Sequence, residues 1–149
     1  MLTFVVKSKN SEELQNKFYN FSLISKPILS NCIRLGINTL IQNATQPTVP
    51  YKTGNLINSF KQEVFSLYGK IFPTAKYSLY VHEGTKPHYI FPKNKQALYW
   101  EGARHPVKSV YHPGTSSNPY MLNIVKKSQV TINKIFKQGM NDIIKKIKI

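Results

Sequence analysis

The chain has 149 residues, 41% of them hydrophobic, and carries 21 Lys+Arg against 6 Asp+Glu, a net charge of +15. That length suits one domain with a real core, no run of about 18 apolar residues exists to cross a membrane, and no N-terminal leader pattern is read at Met1 to Val6. A single cysteine, Cys32, rules out an intrachain disulfide or a cysteine-based zinc cluster, fits synthesis in a reducing cytoplasm, and reads as a small apolar residue on a helix face.

In chain order, Leu2 to Val6 is a short β-prone run. Ser11, Glu12 and Glu13 supply a cap and early acids for a helix. Pro27 is expected to interrupt it, with a second helix running from about Pro27 to Asn43 on the spacing of Ile28, Cys32, Leu35 and their neighbours. Two prolines within residues 46–50 end that helix.

The middle reads as β with loops. Ser59 to Phe65 and Tyr68 to Phe72 form a hairpin around Leu67-Tyr68-Gly69, and Tyr77 to His82 is a further apolar-aromatic segment of this β-rich part. His88 to Phe91, Ala97 to Trp100 and Val107 to Tyr111 are short strand candidates, punctuated by Gly and Pro.

From Pro119 onward, Met121, Val125, Ser128, Ile132, Ile135, Phe136, Met140, Ile143 and Ile147 recur at three and four residues, and most of the lysines fall off that stripe. This predicts a long amphipathic helix, with Pro119 in its first turn, packed on the sheet. The expected fold is α+β: one antiparallel sheet flanked by N-terminal helices (residues 1–45) and a long C-terminal helix (residues 119–149), around a β-rich part at 46–118, all in a single domain.

The sequence holds little that resembles a catalytic constellation. His82, His88, His105 and His112 match no metal-ligand spacing; Lys86 stands where a His-Glu-x-x-His site would need its second imidazole. Glu83 and Glu101 are the central acids, without supporting spacing for a catalytic pair. A small hydrolase using His82, His88 or His112 is therefore the weakest reading, and the chain is read as no enzyme, without cofactor or metal. Aromatics interleaved with lysines, Tyr77 to Tyr111, suit either a nucleic-acid-binding sheet or a half-buried sheet with snorkelling lysines. Only Arg34 and Arg104 are arginines, so any nucleic-acid contact is expected to be non-specific and to the backbone. Lys, Asn and Ile also share A/T-rich codons, so part of the charge reflects composition.

Three turns stand in fixed order: Val49-Pro50-Tyr51-Lys52-Thr53-Gly54-Asn55-Leu56-Ile57-Asn58-Ser59, then Ala75-Lys76-Tyr77-Ser78-Leu79-Tyr80-Val81-His82-Glu83-Gly84-Thr85, then His112-Pro113-Gly114-Thr115-Ser116-Ser117-Asn118-Pro119-Tyr120-Met121. Thr53-Gly54, Gly84-Thr85 and Pro113-Gly114 are natural tight turns, since glycine reaches backbone conformations closed to most residues. Leu56 and Ser59 enter the element after the first turn, and Tyr77 and Tyr80 precede the second.

Over residues 45–149 this order resembles the tail-component family of long-tailed bacteriophages, which includes neck and tail-completion proteins. That family shows Pro-x-x-Thr-Gly-x-Leu-x-x-Ser, then Tyr-Ala-x-Tyr-Val-Glu-x-Gly-Thr, then His-Pro-Gly-Thr-x-x-x-Pro-Phe before a C-terminal helix. Here Ser78 stands for Ala, Glu83 comes one position late and Tyr120 replaces Phe. The resemblance implies a virion protein, made in the bacterial host cytoplasm, that acts in head–tail joining. It implies a homo-oligomeric ring, sixfold or twelvefold, touching head-closure, adaptor or tail-terminator proteins, with non-specific contact to genomic double-stranded DNA and none to membrane. The segments 85–96 and 101–106 are the expected ring contacts. The alternative is a standalone basic nucleic-acid-binding module.

Overall fold

The computed structural model describes residues 11–45 and 47–147; the β-prone run expected at Leu2 to Val6 lies outside them. The chain forms α1 (Ser11–Asn43), α2 (Asn55–Asn58), β1 (Phe60–Val64), β2 (Gly69–Pro73), α3 (Ser78–Glu83), β3 (His88–Ile90), β4 (Val110–His112) and α4 (Tyr120–Ile147). The α+β class read from the sequence is the class observed.

Several details differ from expectation. The N-terminal part is one helix of 33 residues with Pro27 inside it, not two. Proline deletes one N–H bond and crowds the preceding turn, but here the ring is exposed and Ile28 and Cys32 just beyond it pack on α4, so the helix runs through. The strands form two separate two-stranded antiparallel sheets, β1–β2 and β3–β4, rather than one. Tyr77 to His82 lies mostly in the short helix α3. Finally, α4 packs along α1 rather than on a sheet.

The α1–α4 pair is antiparallel. Asn43 Nδ2 donates to Ser128 Oγ at 2.9 Å near one end, Gly36 faces Ile132 and Phe136 in the middle, and Ile28 and Cys32 face Gly139 further along. At Gly139 the helices come so close that a methyl group there would collide with Cys32 Sγ. Cys32 is 4% exposed; burial first, and the Asp142 charge second, push its thiol pKa up. Beyond this crossing an open groove of about 830 Å³ runs between the helices, lined by Leu23, Ile24, Pro27, Gln138 and Asp142 among others.

The β1–β2 hairpin pairs Phe60 with Pro73 through Val64 with Gly69. Its turn is Phe65–Tyr68, closed by Phe65 N–H donating to the Tyr68 carbonyl at 2.8 Å, slightly ahead of the turn expected at Leu67–Gly69. The hairpin lies against α1, where Gly69 abuts Ile37. The main core gathers Ala44 from just past α1, Val49, Leu56 of α2, and Tyr120 and Ile124 of α4.

Candidate functional site

The three glycine-centred turns, whose glycines at 54, 84 and 114 span 60 residues of the chain, meet at the N-terminus of α4. Gly54, Gly84 and Gly114 all have positive φ, at 78°, 79° and 88°. Gly54 allows the chain to turn from Tyr51 into α2, which buries Leu56; Ser59 Oγ then donates to the Leu56 carbonyl at 2.7 Å, closing that helix.

The second and third turns lock together. Thr85 N–H donates to the Thr115 carbonyl at 2.9 Å and Thr115 N–H to the Thr85 carbonyl at 3.1 Å. The two hydroxyls are also 3.2 Å apart. Gly84 lies against the Thr115 carbonyl and the Ser117 amide, and Gly114 against the Thr85 carbonyl, so a side chain at either would strike backbone. One residue layer further in, Asn118 N–H donates to the Val81 carbonyl at 3.1 Å.

Tyr120 ties all three together. It is 1% exposed; its hydroxyl donates to the Ser78 carbonyl at 3.0 Å, and its ring meets Phe60 and His82 edge-on. Burial raises its phenol pKa. Tyr77 and Tyr80, by contrast, are exposed; Tyr77 lies beside Pro50, Gly54 and Leu56 in a small cleft. Pro119 precedes α4, and its carbonyl accepts the Asn123 N–H at 3.1 Å.

Residues 86–112 leave this junction as an arm. β3 and β4 pack principally on each other, and no residue from Thr85 to Pro119 is buried. Register places Tyr89 opposite Tyr111 and His88 opposite His112, so the arm has two faces. Tyr89, Tyr111 and Phe91 form one cluster, 62%, 55% and 63% exposed. On the other face His88 and His112 stack at 5.2 Å. Their Nδ1 atoms are committed to backbone: His88 to the Lys86 carbonyl at 2.8 Å, and His112 accepting from Gly114 N–H at 3.0 Å. The strand candidates at 97–100 and 107–111 meet through a single bridge, Leu98 to Val107, with Trp100 exposed near the tip.

Of the four histidines, only His88 and His112 come together; His82 lies under Tyr120 and His105 is on the arm. Among the described residues, no three His, Cys, Asp or Glu side chains are placed to hold a metal ion.

No family model, curated protein or solved structure matches the chain.

What sequence reading missed is the apolar face of the first half of α1. Leu14, Phe18 and Phe21 line a shallow apolar cleft and are 54%, 67% and 46% exposed. Their spacing of four and three residues was visible, but nothing in it says that, among the described residues, no other element covers them.

Proposed function

We propose that this chain is a structural protein of a tailed-bacteriophage virion, a neck or tail-completion component acting in head–tail joining through a homo-oligomeric ring, and that its role is assembly rather than catalysis.

The observation that carries this reading is surface. The chain exposes 12283 Å², whereas a compact monomer of 17.1 kDa exposes about 7,700 Å². The excess, on the order of 4,500 Å², is of the size that obligate assemblies bury. Exposed large apolar side chains include two separate groups, the aromatic face of the arm and the Leu14–Phe18–Phe21 face of α1. A closed ring joined head to tail needs two unlike patches on each copy, one meeting the other. The motif residues themselves support a scaffold role, because Gly84, Gly114, Thr85, Thr115 and Tyr120 are all engaged in holding backbone to backbone.

The standalone nucleic-acid module accounts for the +15 charge but leaves the exposed apolar faces without a use. The two readings part in purified particles of a phage that encodes the chain. Mass spectrometry is expected to find the chain there at a fixed, low copy number relative to the major tail protein; infectious particles free of it overturn the proposal.

A further inference from the structure

The charge imbalance is not spread evenly. α1 carries Lys17, Lys26 and Arg34 against Glu12 and Glu13, while α4 carries six lysines against Asp142 alone. At about 100° per residue, Lys126, Lys127, Lys134, Lys137 and Lys145 fall within an arc of roughly 100° around α4. The centre of that arc is about 150° from the face that buries Ile124, Ser128, Gly139 and Ile143 against the rest of the chain. All five lysines are exposed, and the ion pairs among the described residues, Lys17–Glu13 and Lys70–Glu63, involve none of them. Asp142 lies outside the arc, on the groove between the helices.

We propose that this lysine stripe is the surface on which the chain meets double-stranded DNA, by contact with the phosphate backbone and without sequence preference. From Lys126 to Lys145 the stripe is roughly 28 Å long at 1.5 Å per residue. A duplex presents one charge per about 1.7 Å of axis, so on the order of 16 phosphates lie along that length. Lys134 and Lys137, three residues apart, repel one another on that face, and a polyanion laid along the stripe offsets that. The side chains are lysines, compact point charges rather than bidentate forks, which suits backbone contact. The arm is less suited: its cations Lys86, Lys93, Lys95, Arg104 and Lys108 are interrupted by Glu101 and accompany an apolar face. An anionic membrane is the rival polyanion, because Leu122, Val125, Met140 and Ile144 of α4 stay exposed beside the stripe; the vesicle comparison below separates the two.

The inference deepens the virion reading by naming the nucleic acid and the face that meets it. Its test uses the purified chain in solution, so its failure leaves the particle test above standing. Binding of a fluorescent duplex of about 30 base pairs is followed by anisotropy from 50 to 200 mM salt. The log–log salt slope of the unaltered chain is expected near −4.5 if all five lysines meet phosphates, and Lys126→Gln/Lys134→Gln/Lys137→Gln is expected to make it shallower by about 2.7. Lys127→Gln/Lys145→Gln, a second variant, removes about 1.8. The control Lys86→Gln/Lys93→Gln/Lys95→Gln, on the arm, leaves the slope within about one unit. An unchanged slope in both α4 variants, an equal loss in the arm control, or tighter binding to phosphatidylserine-containing vesicles than to the duplex at equal salt would overturn the proposal.

Discussion

Thr85 and Thr115 exchange two backbone hydrogen bonds, at 2.9 and 3.1 Å, and the glycine before each lies flat against the other's carbonyl. This reciprocal clamp closes the base of the arm and seats α3 on the start of α4. Its tolerance of side chains sets the first prediction.

At Gly102 the φ is +87° but nothing lies within 4 Å of an added methyl; at Gly114 the φ is +88° and the methyl meets Thr85 and Pro87 backbone. Gly102→Ala is therefore expected to cost about 1 kcal/mol, the left-handed backbone penalty alone. Gly114→Ala adds a collision with atoms that cannot rotate away, for a total of about 3 kcal/mol. Urea unfolding of the two variants checks this; equal losses would mean that the clamp is looser than it looks.

Tyr120 contributes through both its ring and its hydroxyl. Tyr120→Phe removes only the bond to the Ser78 carbonyl and is expected to cost about 1 kcal/mol. Tyr120→Ala opens a cavity between Phe60, His82 and Ile124 and is expected to cost about 3–5 kcal/mol.

The same residue sets a pH dependence. Burial raises the Tyr120 phenol above its ordinary value of 10.0. A raised folded-state value means its contribution is fully present below about pH 10 and is lost as pH climbs through the folded value. Stability of the unaltered chain is thus expected to fall on the alkaline side more steeply than that of Tyr120→Phe, measured by denaturant midpoints at pH 8 to 11.

Gly139 and Cys32 form the closest approach of α1 and α4. Gly139→Ala gains about 1 kcal/mol of helix propensity yet is expected to destabilise by about 1 kcal/mol net, because the methyl strikes the sulfur. Removing the sulfur in Cys32→Ala/Gly139→Ala is expected to restore most of that loss, a coupling of at least about 1 kcal/mol in a double-mutant cycle. Additivity would contradict the contact. Labelling by a thiol reagent at pH 8 is expected to be slow for the folded chain, since Cys32 is buried and its pKa is raised.

Local signals carried much of the architecture. The spacing of Met121, Ser128, Ile132 and Ile143 marked α4, and the turn residues between two aromatic runs marked the β1–β2 hairpin. Pro27 misled, because a local rule about one lost hydrogen bond knows nothing of Gly139 packing beside Ile28 across the chain. Tyr77 to His82 misled for a similar reason: a six-residue, largely apolar and aromatic segment suits strand or helix equally, and the bonds from Tyr120 and Asn118 that fix α3 come from some 40 residues away. Each glycine turn was legible by itself. That Gly84 presses on Thr115 and Gly114 on Thr85 was not, since pairing across a 30-residue excursion leaves no local mark.

The arm is expected to be dispensable for folding and required for assembly. Replacing residues 90–110 with a short Gly-Ser turn removes no buried side chain, so the unfolding midpoint is expected to move by less than the equivalent of about 1 kcal/mol. The same variant is expected to stay monomeric under conditions where the unaltered chain self-associates, as read by sedimentation velocity. A large loss of stability would place the arm inside the fold rather than outside it.

The central claim, a ring-forming component of head–tail joining, is met most directly by electron microscopy of particles assembled without this chain in a phage that encodes it. The account predicts filled heads and separate tails that fail to join, rescued by supplying the unaltered chain and not by the arm-deleted one. Complete, joined and infectious particles in its absence would contradict it.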